Sequence, residues 1–397
     1  MPLLVAVLLA ALTADQAAPA APFTLDAALA AAEARNPTLA AARLGRAADL
    51  AGIDVARQRP NPEASFEAGR DTPHEAFSIG VPLEFGGKRA RRIDLANATL
   101  ARTTAEVAVR SLEIRREVRL AYFELVAANA RVQVTTDLRG FAERASNAAR
   151  DRFQSGAAPR LESLQADLTL AQADNEREAA RGRLEAARVE LNTLMGAAPE
   201  TPATPSDSFD VGSIPADLAA IIARSPDIVA IDREIDEAVA RERLARTLRT
   251  PDTTVSGGVL LDSPPEFNYG WKAGLAMTVP VFTRHQADVK VETARVAQLR
   301  AERAARVTEL TGQASAAASR AQAARRRFLR YRDEILPQLS TVESMAEDSY
   351  RSGQTGLSAF LQALQAAREV RLLATDAGLE YQQALADLER ALGGPIR

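Results

Sequence analysis

Few side chains in this sequence are of a type that performs catalysis or holds a metal ion. Cysteine is absent and histidine occurs only at His74 and His285, so we expect no thiolate site, no histidine-built metal centre and no catalytic triad. The segment Gly86-Gly87-Lys88-Arg89 lacks the spacing of a phosphate-binding loop. A formal net charge of -3 provides no basic field for nucleic acid. The sequence therefore predicts a protein that is not an enzyme, with no cofactor, no bound metal and no nucleic-acid partner.

Charged residues provide two further candidate sites. Four carboxylates lie near the ends of predicted long helices, where copies in a symmetric assembly would form a cation-selective ring; the alternative is ordinary surface charge. They are Glu143, Asp151, Glu347 and Asp348. The second site is basic, because a predicted helix, whose dipole disfavours cations at its start, opens with Lys88, Arg89, Arg91 and Arg92. We expect that an anionic lipid or a carboxylate compensates this cluster, or else that the cluster is simply solvated.

Two segments alternate strictly between apolar and other side chains, which predicts amphipathic strands at residues 77–85 and 271–281. Each is about nine to eleven residues long, the length of a tilted strand that crosses a bilayer. The full strand pairs are predicted at residues 64–70 with 76–85, and 254–261 with 271–282. The positions expected to face lipid are Phe77, Ile79, Val81, Leu83, Trp271, Leu275, Met277 and Val279. The polar positions between them would line water. A small soluble sheet packed on helices is the alternative.

The remaining sequence predicts one helical unit that is used twice. Asn36-Pro37 recurs as Ser225-Pro226, and Phe153-Gln154-Ser155-Gly156 recurs as Tyr350-Arg351-Ser352-Gly353. An apolar run followed by small residues at the start of the chain is interpreted as a secretory signal. The predicted divisions are a signal at residues 1–20, a first repeat at 21–196, a linker rich in proline and serine at 197–215, and a second repeat at 216–394.

Each repeat is predicted to contain two short helices, a strand pair, one very long helix and a return helix. The short helices are expected at residues 25–35, 37–58, 215–224 and 226–248, the long helices at 88–153 and 286–350, and the return helices at 160–195 and 357–392. A long helix would extend roughly 90–100 Å, close to the combined length of the two shorter helices stacked beside it. Coiled-coil spacing occurs on the first long helix at Ile114, Val118, Ala121, Leu125, Ala128 and Val132. It occurs on the return helix at Leu161, Leu164, Leu168 and Ala171.

Four amphipathic strands are too few to close a transmembrane barrel, whose smallest form has about eight. Open sheet edges in hydrocarbon leave backbone groups unpaired, at a cost of several kcal/mol each. The chain is therefore predicted to share a barrel with copies of itself. Two copies would give about eight strands around a filled interior, and three copies about twelve strands around a lumen.

In these features the chain resembles the TolC family of outer-membrane efflux channels. The resemblance extends from Leu25 to Gly394 and rests on an ordered series of short motifs. They are Asn36-Pro37, the Val-Pro pairs at Pro82 and Pro280, Phe85-Gly86-Gly87-Lys88-Arg89, Ile335-Leu336-Pro337, and the turns ending at Gly156 and Gly353. The Gly-Gly-Lys-Arg element is most similar to the heavy-metal efflux branch of the family, the CzcC and CusC type.

The resemblance implies a mainly α fold with a small β part, in which tandem repeats of coiled-coil helices each carry a β-hairpin. It implies a homotrimer with a twelve-stranded barrel embedded in outer-membrane lipid and a helical tunnel in the periplasm of a Gram-negative bacterium. The helix tips would dock a periplasmic membrane-fusion adaptor, which links to an inner-membrane resistance-nodulation-division (RND) pump. The tip residues are Ser155, Gly156, Ser352, Gly353 and Gly356.

The function implied is that of a passive exit duct for exported metal ions or other small toxic solutes. The exit channel of a type I protein-secretion or drug-efflux system is an alternative within the same class. A soluble periplasmic coiled-coil adaptor or scaffold is the alternative from another class, and a water-soluble monomer would favour it.

Overall fold

The fold is given by a computed structural model that describes residues 23–70, 73–209, 212, 214–215, 217–261 and 269–396. The predicted signal at residues 1–20 lies outside the described residues. The first repeat contains α1 (Leu25–Arg35), α2 (Pro37–Arg57), β1 (Glu63–Ala68), β2 (Glu75–Leu83), α3 (Lys88–Gln154) and α4 (Arg160–Leu194). The second contains α5 (Leu218–Ile222), α6 (Pro226–Thr247), β3 (Asp252–Leu261), β4 (Tyr269–Thr278), α7 (Gln286–Arg330), α8 (Leu336–Arg351) and α9 (Leu357–Leu392). The predicted fold class, mainly α with two tandem repeats and a small β part, is confirmed.

The second helix of each repeat begins at the residue that the sequence marks. Asn36 precedes α2, and its side-chain oxygen accepts hydrogen bonds from the backbone N–H groups of Thr38 and Leu39 at 2.9 and 3.1 Å. Pro37 fits the first helical position, because the N–H group that it lacks would have no partner there. Ser225 caps α6 in the same way. None of the described helices combines the length and apolar character needed to cross a bilayer.

The second long helix is helical throughout the predicted residues 286–350, but a π-helical turn divides it. α7 ends at Arg330, a π-helical turn occupies Tyr331–Ile335, and α8 follows. Pro337 explains the interruption, because proline donates no N–H group and its ring crowds the carbonyl of the preceding turn. A π-helical turn widens the backbone and accommodates both effects. In the first repeat, α3 runs without interruption through Gly140.

The strands form one antiparallel sheet in the order β1-β2-β3-β4, so the hairpins of the two repeats are joined through β2 and β3. β4 ends at Thr278 and not at residue 282, and the predicted strand residue Val279 therefore lies just beyond it. Pro280, which cannot donate to a strand ladder, explains this early end. β2 likewise ends at Leu83, before Phe85. Among the described residues, β1 and β4 each have one edge without a partner strand.

The long helices lie side by side with α3 near the middle. Next to the sheet, α3 packs between α2 and α6, and α6 also packs against α7. Toward the tips, α3 packs between α4 and α9, and α9 also packs against α7 and α8. Elements of the first repeat therefore lie at one edge of the helical layer and elements of the second repeat at the other. The strand order follows the same rule, with β1 and β4 at opposite edges.

The segment predicted as a linker packs into the core between the repeats and does more than connect them. Its Phe209 lies between the rings of Phe123 on α3 and Phe328 on α7, with centroid separations of 6.2 and 5.9 Å. Asp207 accepts a hydrogen bond from the buried hydroxyl of Tyr122 at 2.9 Å. These contacts join residues of both repeats to the connecting segment, which aligns the two halves of the helical layer.

The two predicted coiled-coil seams differ in the structure. The predicted seam residues of α3 are buried from Ile114 to Ala128, and Val132 at the end of the seam is half-buried. The α4 seam is not buried within the chain, because Leu161, Leu164 and Leu168 are 63%, 50% and 65% exposed and Ala171 is also exposed. α4 packs on α3 through smaller residues instead, among them Ala166 and Ala187. Spacing identifies an apolar stripe but does not say whether its partner belongs to the same chain.

Candidate functional site

Both repeats end in the same exposed turn at their tips. Gly156 and Gly353 adopt left-handed φ angles of 76° and 74°, a conformation that side chains disfavour. Their N–H groups donate to the carbonyls three residues earlier at 3.0 Å. The hydroxyls of Ser155 and Ser352 bind carbonyls of the last helical turn, and Gly356 precedes the first residue of α9. The predicted tip residues are thus solvent-exposed helix ends, and their docking role stays a prediction.

The two tips of one chain are held together by a contact that sequence reasoning missed. Tyr350 at the end of α8 is buried, and its hydroxyl donates to the carboxylate of Glu162 on α4 at 3.1 Å. Its ring stacks on Phe360 at a centroid separation of 5.1 Å, and the guanidinium of Arg152 lies 5.4 Å from its centroid. Burial, together with the bond to Glu162, raises the pKa of Tyr350 to about 12. The hydroxyl therefore stays protonated and remains a donor at neutral pH.

A difference between the repeats marks this contact in the sequence. The residue that corresponds to Tyr350 in the first repeat is Phe153, which has no hydroxyl and is 43% exposed, whereas Tyr350 is 1% exposed. The hydroxyl that only the second repeat carries at this position is the group that binds Glu162. A second link lies nearby, because Arg144 on α3 binds Glu347 on α8 at 2.8 Å.

The predicted pore carboxylates have different surroundings. Glu143 pairs with an arginine of its own helix at 2.5 Å, and Glu347 forms the link to Arg144. Asp151 and Asp348 are exposed, and within the described part of the chain neither forms an ion pair. A cleft of about 260 Å³ between α3 and α8 brings Asp151 and Glu347 to one place. The geometry of one chain therefore leaves two of the four carboxylates free to act on a passing ion, and their role in a pore stays a prediction.

One face of the sheet presents large apolar side chains to the surroundings. The exposed residues include every position that we expect to face lipid, namely Phe77, Ile79, Val81, Leu83, Trp271, Leu275, Met277 and Val279. Between them on β2, the smaller Ala76, Ser78 and Gly80 are buried. Soluble proteins rarely expose a continuous apolar surface of this kind, so a covering partner is required.

The basic cluster at the start of α3 forms the joint between sheet and helices. Lys88 is buried and pairs with Asp252 at the start of β3, and Arg92 pairs with Glu84 just after β2. Arg89 donates to the last backbone carbonyl of α2 at 2.8 Å. Carboxylates, one of the alternatives left open by the sequence, therefore compensate Lys88 and Arg92. The cluster fixes both hairpins and α2 to the first turn of α3.

Comparison with known proteins identifies the family of this architecture. The family model described as outer membrane efflux protein matches residues 28–197 and 218–394. The cobalt-zinc-cadmium resistance protein CzcC of Cupriavidus metallidurans is 27% identical over 380 residues, which cover 94% of this chain and 91% of that protein. The nickel and cobalt resistance protein CnrC of the same organism is 27% identical over 282 residues, or 66% of each chain. A crystal structure of CusC matches with a TM-score of 0.76 at 19% identity, over 93% of this chain and 92% of that one.

The repeated helical layer with its small sheet is the fold of tandem-repeat channel subunits. The chain belongs to the outer membrane efflux protein family. It is therefore a channel component of an efflux system in the outer membrane, and its activity is passive transport and not catalysis. Family membership confirms the predicted family, the predicted class of function and the prediction that the protein is not an enzyme.

Proposed function

We propose that three copies of this chain assemble into an exit duct, with twelve strands in a barrel across the outer membrane and the helices in a tunnel through the periplasm. The observation that carries the proposal is the arrangement of unpartnered edges. The sheet ends in β1 on one side and β4 on the other, and the helical layer ends in α2 and α4 or in α7 and α8. One edge of both the sheet and the helical layer belongs to the first repeat, and the opposite edge belongs to the second repeat. The same rotation between neighbouring copies therefore places β1 beside β4 and the helices of the first repeat beside those of the second.

The helical edges carry apolar side chains that such a joint would bury. Leu164 on α4 and Val55 on α2 are 50% and 64% exposed at one edge, and Val342 and Met345 on α8 are 51% and 64% exposed at the other. Full burial of one such side chain contributes about 1.5–3 kcal/mol. Joining β1 of one copy to β4 of the next also pairs backbone groups that would cost several kcal/mol each in lipid. Three copies are favoured over two, because about twelve strands leave a lumen.

Engineered cysteines test this assembly cleanly, since the chain contains no natural cysteine. Leu164→Cys and Met345→Cys place one thiol at each edge of the helical layer. After treatment with a short thiol-reactive cross-linker, the double variant in detergent should give a ladder of covalent species that ends at the trimer. Either single variant alone is the matched control and should give no ladder. A monomer that resists cross-linking, or a ladder without an end, would contradict a closed ring of three.

We also propose that the tips dock a periplasmic adaptor connected to an RND pump, and that docking opens the duct by separating the tips. The exposed turns at Gly156 and Gly353 provide the surface. The contacts from Tyr350 to Glu162 and from Arg144 to Glu347 oppose separation, because they link the tip of the first repeat to that of the second. Opening therefore requires that these two links be broken or exchanged.

Metal ions are the proposed cargo. The support is that CzcC and CnrC, which match this chain over much of their length, are resistance proteins for cobalt, zinc and cadmium and for nickel and cobalt. No group of three or more His, Asp or Glu side chains among the described residues is arranged to hold a metal ion. In this proposal the ions pass through without a binding site, and the pump selects them.

The cargo can be tested in cells that lack their own duct but supply an adaptor and an RND pump for heavy metals. Expression should restore resistance to cobalt, zinc or cadmium salts and leave susceptibility to organic toxicants unchanged. A control without the pump should restore nothing. Restored resistance to organic compounds alone, or restored secretion of a protein, would favour the alternative of a drug-efflux or type I secretion channel.

A further inference from the structure

The level at which the strands give way to helices carries basic side chains that the chain does not neutralise. Arg59 follows α2, Arg249 follows α6, Arg284 precedes α7, and Lys290 lies in the first turns of α7. All four are exposed, and within the described ranges none of them forms an ion pair. We refer to these four residues as the basic collar.

Most carboxylates at the same level are already engaged. Asp252 pairs with Lys88, Glu84 with Arg92, and Asp94 with Arg91. Asp54 and Asp288 also contact a basic partner on their own helix or at its cap. Among the described residues, Glu63 at the start of β1 and Glu292 on α7 lie outside these pairs, so two carboxylates oppose the four basic residues. The collar therefore keeps a net positive charge of its own, unlike the joint at the start of α3.

The collar directly adjoins the apolar surface of the sheet. Phe282, two residues before Arg284, is completely exposed, and the corresponding Phe85 is 49% exposed. The exposed apolar residues of β2 and β4 lie on the other side of these rings. Aromatic residues followed by Lys and Arg are typical of the zone where a membrane protein passes from hydrocarbon to headgroups.

We propose that the basic collar binds the phosphate groups of anionic phospholipids in the periplasmic leaflet. The inference rests on the proposed function, because it requires the sheet to lie in the outer membrane. Three of the four residues are arginines, whose planar guanidinium groups bind phosphate oxygens through paired hydrogen bonds. The helical layer begins at this level, so the bound lipids would fix the depth at which the duct sits in the membrane.

The test uses the full chain in nanodiscs that contain both phosphatidylcholine and phosphatidylglycerol. After extraction, native mass spectrometry gives the ratio of the two lipids that remain bound to the protein. Each cation near an anionic surface changes lipid affinity by about fivefold. A collar variant carrying Arg59→Gln, Arg249→Gln, Arg284→Gln and Lys290→Gln should therefore lower the bound ratio of phosphatidylglycerol to phosphatidylcholine by at least about tenfold.

The matched control removes the same charge from helices distant from the sheet. It carries Arg160→Gln, Arg183→Gln, Arg320→Gln and Arg326→Gln, which are also exposed and, among the described residues, outside ion pairs. The control should retain the wild-type lipid ratio. Inorganic phosphate added to the wild type should not displace phosphatidylglycerol, since a lipid site also requires the acyl chains beside the sheet.

Several results would overturn the inference. Three concern lipid binding: a wild-type protein that does not prefer phosphatidylglycerol, an equal fall of the lipid ratio in the control variant, and displacement of phosphatidylglycerol by inorganic phosphate. Two concern the collar variant: it dissociates into single chains, or the ion selectivity of its conductance changes while its lipid ratio stays the same. The last two would place the collar between copies or inside the duct. A wild-type chain that fails to enter nanodiscs at all would instead contradict the proposed channel, so the two failures are distinguishable.

Discussion

Replacement of Gly378 by alanine tests whether the segment between the repeats clamps the helical layer. A Cβ atom at this position of α9 would lie 2.6, 2.7 and 3.0 Å from three carbons of the Phe209 ring. The ring has little room to move, because it lies between Phe123 and Phe328. Overpacking of a core costs about 1–3 kcal/mol, whereas removing a glycine from a helix alone stabilises by about 0.5–1 kcal/mol. We expect Gly378→Ala to lower the free energy of unfolding by about 1–2 kcal/mol.

Two further variants isolate the cause. Gly312 on α7 has no atom within 4 Å of an added Cβ, so Gly312→Ala should stabilise the protein by up to about 1 kcal/mol. Phe209→Ala removes the obstructing ring, and in that background Gly378→Ala should also become stabilising. Denaturant unfolding in detergent, followed by far-ultraviolet circular dichroism, gives the four free energies of the double-mutant cycle.

The sign of the change in unfolding free energy caused by Gly378→Ala shows whether the ring of Phe209 packs against α9. If Gly378→Ala stabilises the protein as much as Gly312→Ala does, the ring of Phe209 is not seated on α9 and the clamp is refuted. If Gly378→Ala is destabilising to the same degree with and without the ring, the cost arises elsewhere in α9 and the proposed contact does not explain it.

The remaining predictions concern the tips and the ion pairs. Tyr350→Phe keeps the aromatic stack but removes the hydrogen bond to Glu162, so it should favour the open tip by about 1–2 kcal/mol per chain. The single-channel open probability of the variant should therefore rise. An unchanged open probability would count against the link between Tyr350 and Glu162. Gly156→Ala should destabilise the tip by about 1–2 kcal/mol, because Gly156 has a positive φ angle. The control is Gly182→Ala within α4, which should not destabilise the protein because no atom lies within 4 Å of an added Cβ. Thermal unfolding of the two variants compares their stabilities. Burial raises the pKa of the Asp227 carboxyl, but hydrogen bonds and ion pairs with two arginines outweigh this and hold the pKa below its usual value. The stability that those pairs contribute is present above the unfolded-state pKa of about 4 and is lost as pH falls through the lower folded pKa. Asp227→Asn should therefore lower the free energy of unfolding by about 3 kcal/mol at neutral pH and by progressively less in acid. An equal loss of stability at neutral and at acidic pH would contradict this prediction.

The repeated plan of the chain was readable from the sequence because its signals are local. Asn36-Pro37 and Ser225-Pro226 start helices through caps that involve only neighbouring residues. Strand alternation is also local, and the exposed and buried positions of β2 follow it without a shift. The α3 seam from Ile114 to Leu125 is buried for the same reason, since α3 has partners on both sides within the chain.

Features that depend on residues far away in the sequence, or on another chain, could not be predicted from the sequence. The same spacing that buries the α3 seam leaves Leu161, Leu164 and Leu168 exposed, because the sequence does not state which chain supplies the partner. The connecting segment looked like a linker by composition, yet Phe209 is fixed by rings and a glycine far away in sequence. The pairing of Lys88 with Asp252 likewise joins two repeats and carries no local pattern.

One departure from exact repetition lies in the tip half of the second repeat, and its location has a mechanical consequence. Pro337 and the preceding π-helical turn separate α8 from α7, whereas α3 continues unbroken to its tip. Of the residues of α8, only Glu343 and Tyr350 are buried, so few contacts hold this segment to its neighbours. Opening of the tips would therefore be absorbed at the π-helical turn, where the backbone is already widened, and α8 would move while α3 stays in place. The hydroxyl that Tyr350 has and Phe153 lacks would then hold α8 to the first repeat through Glu162 on α4.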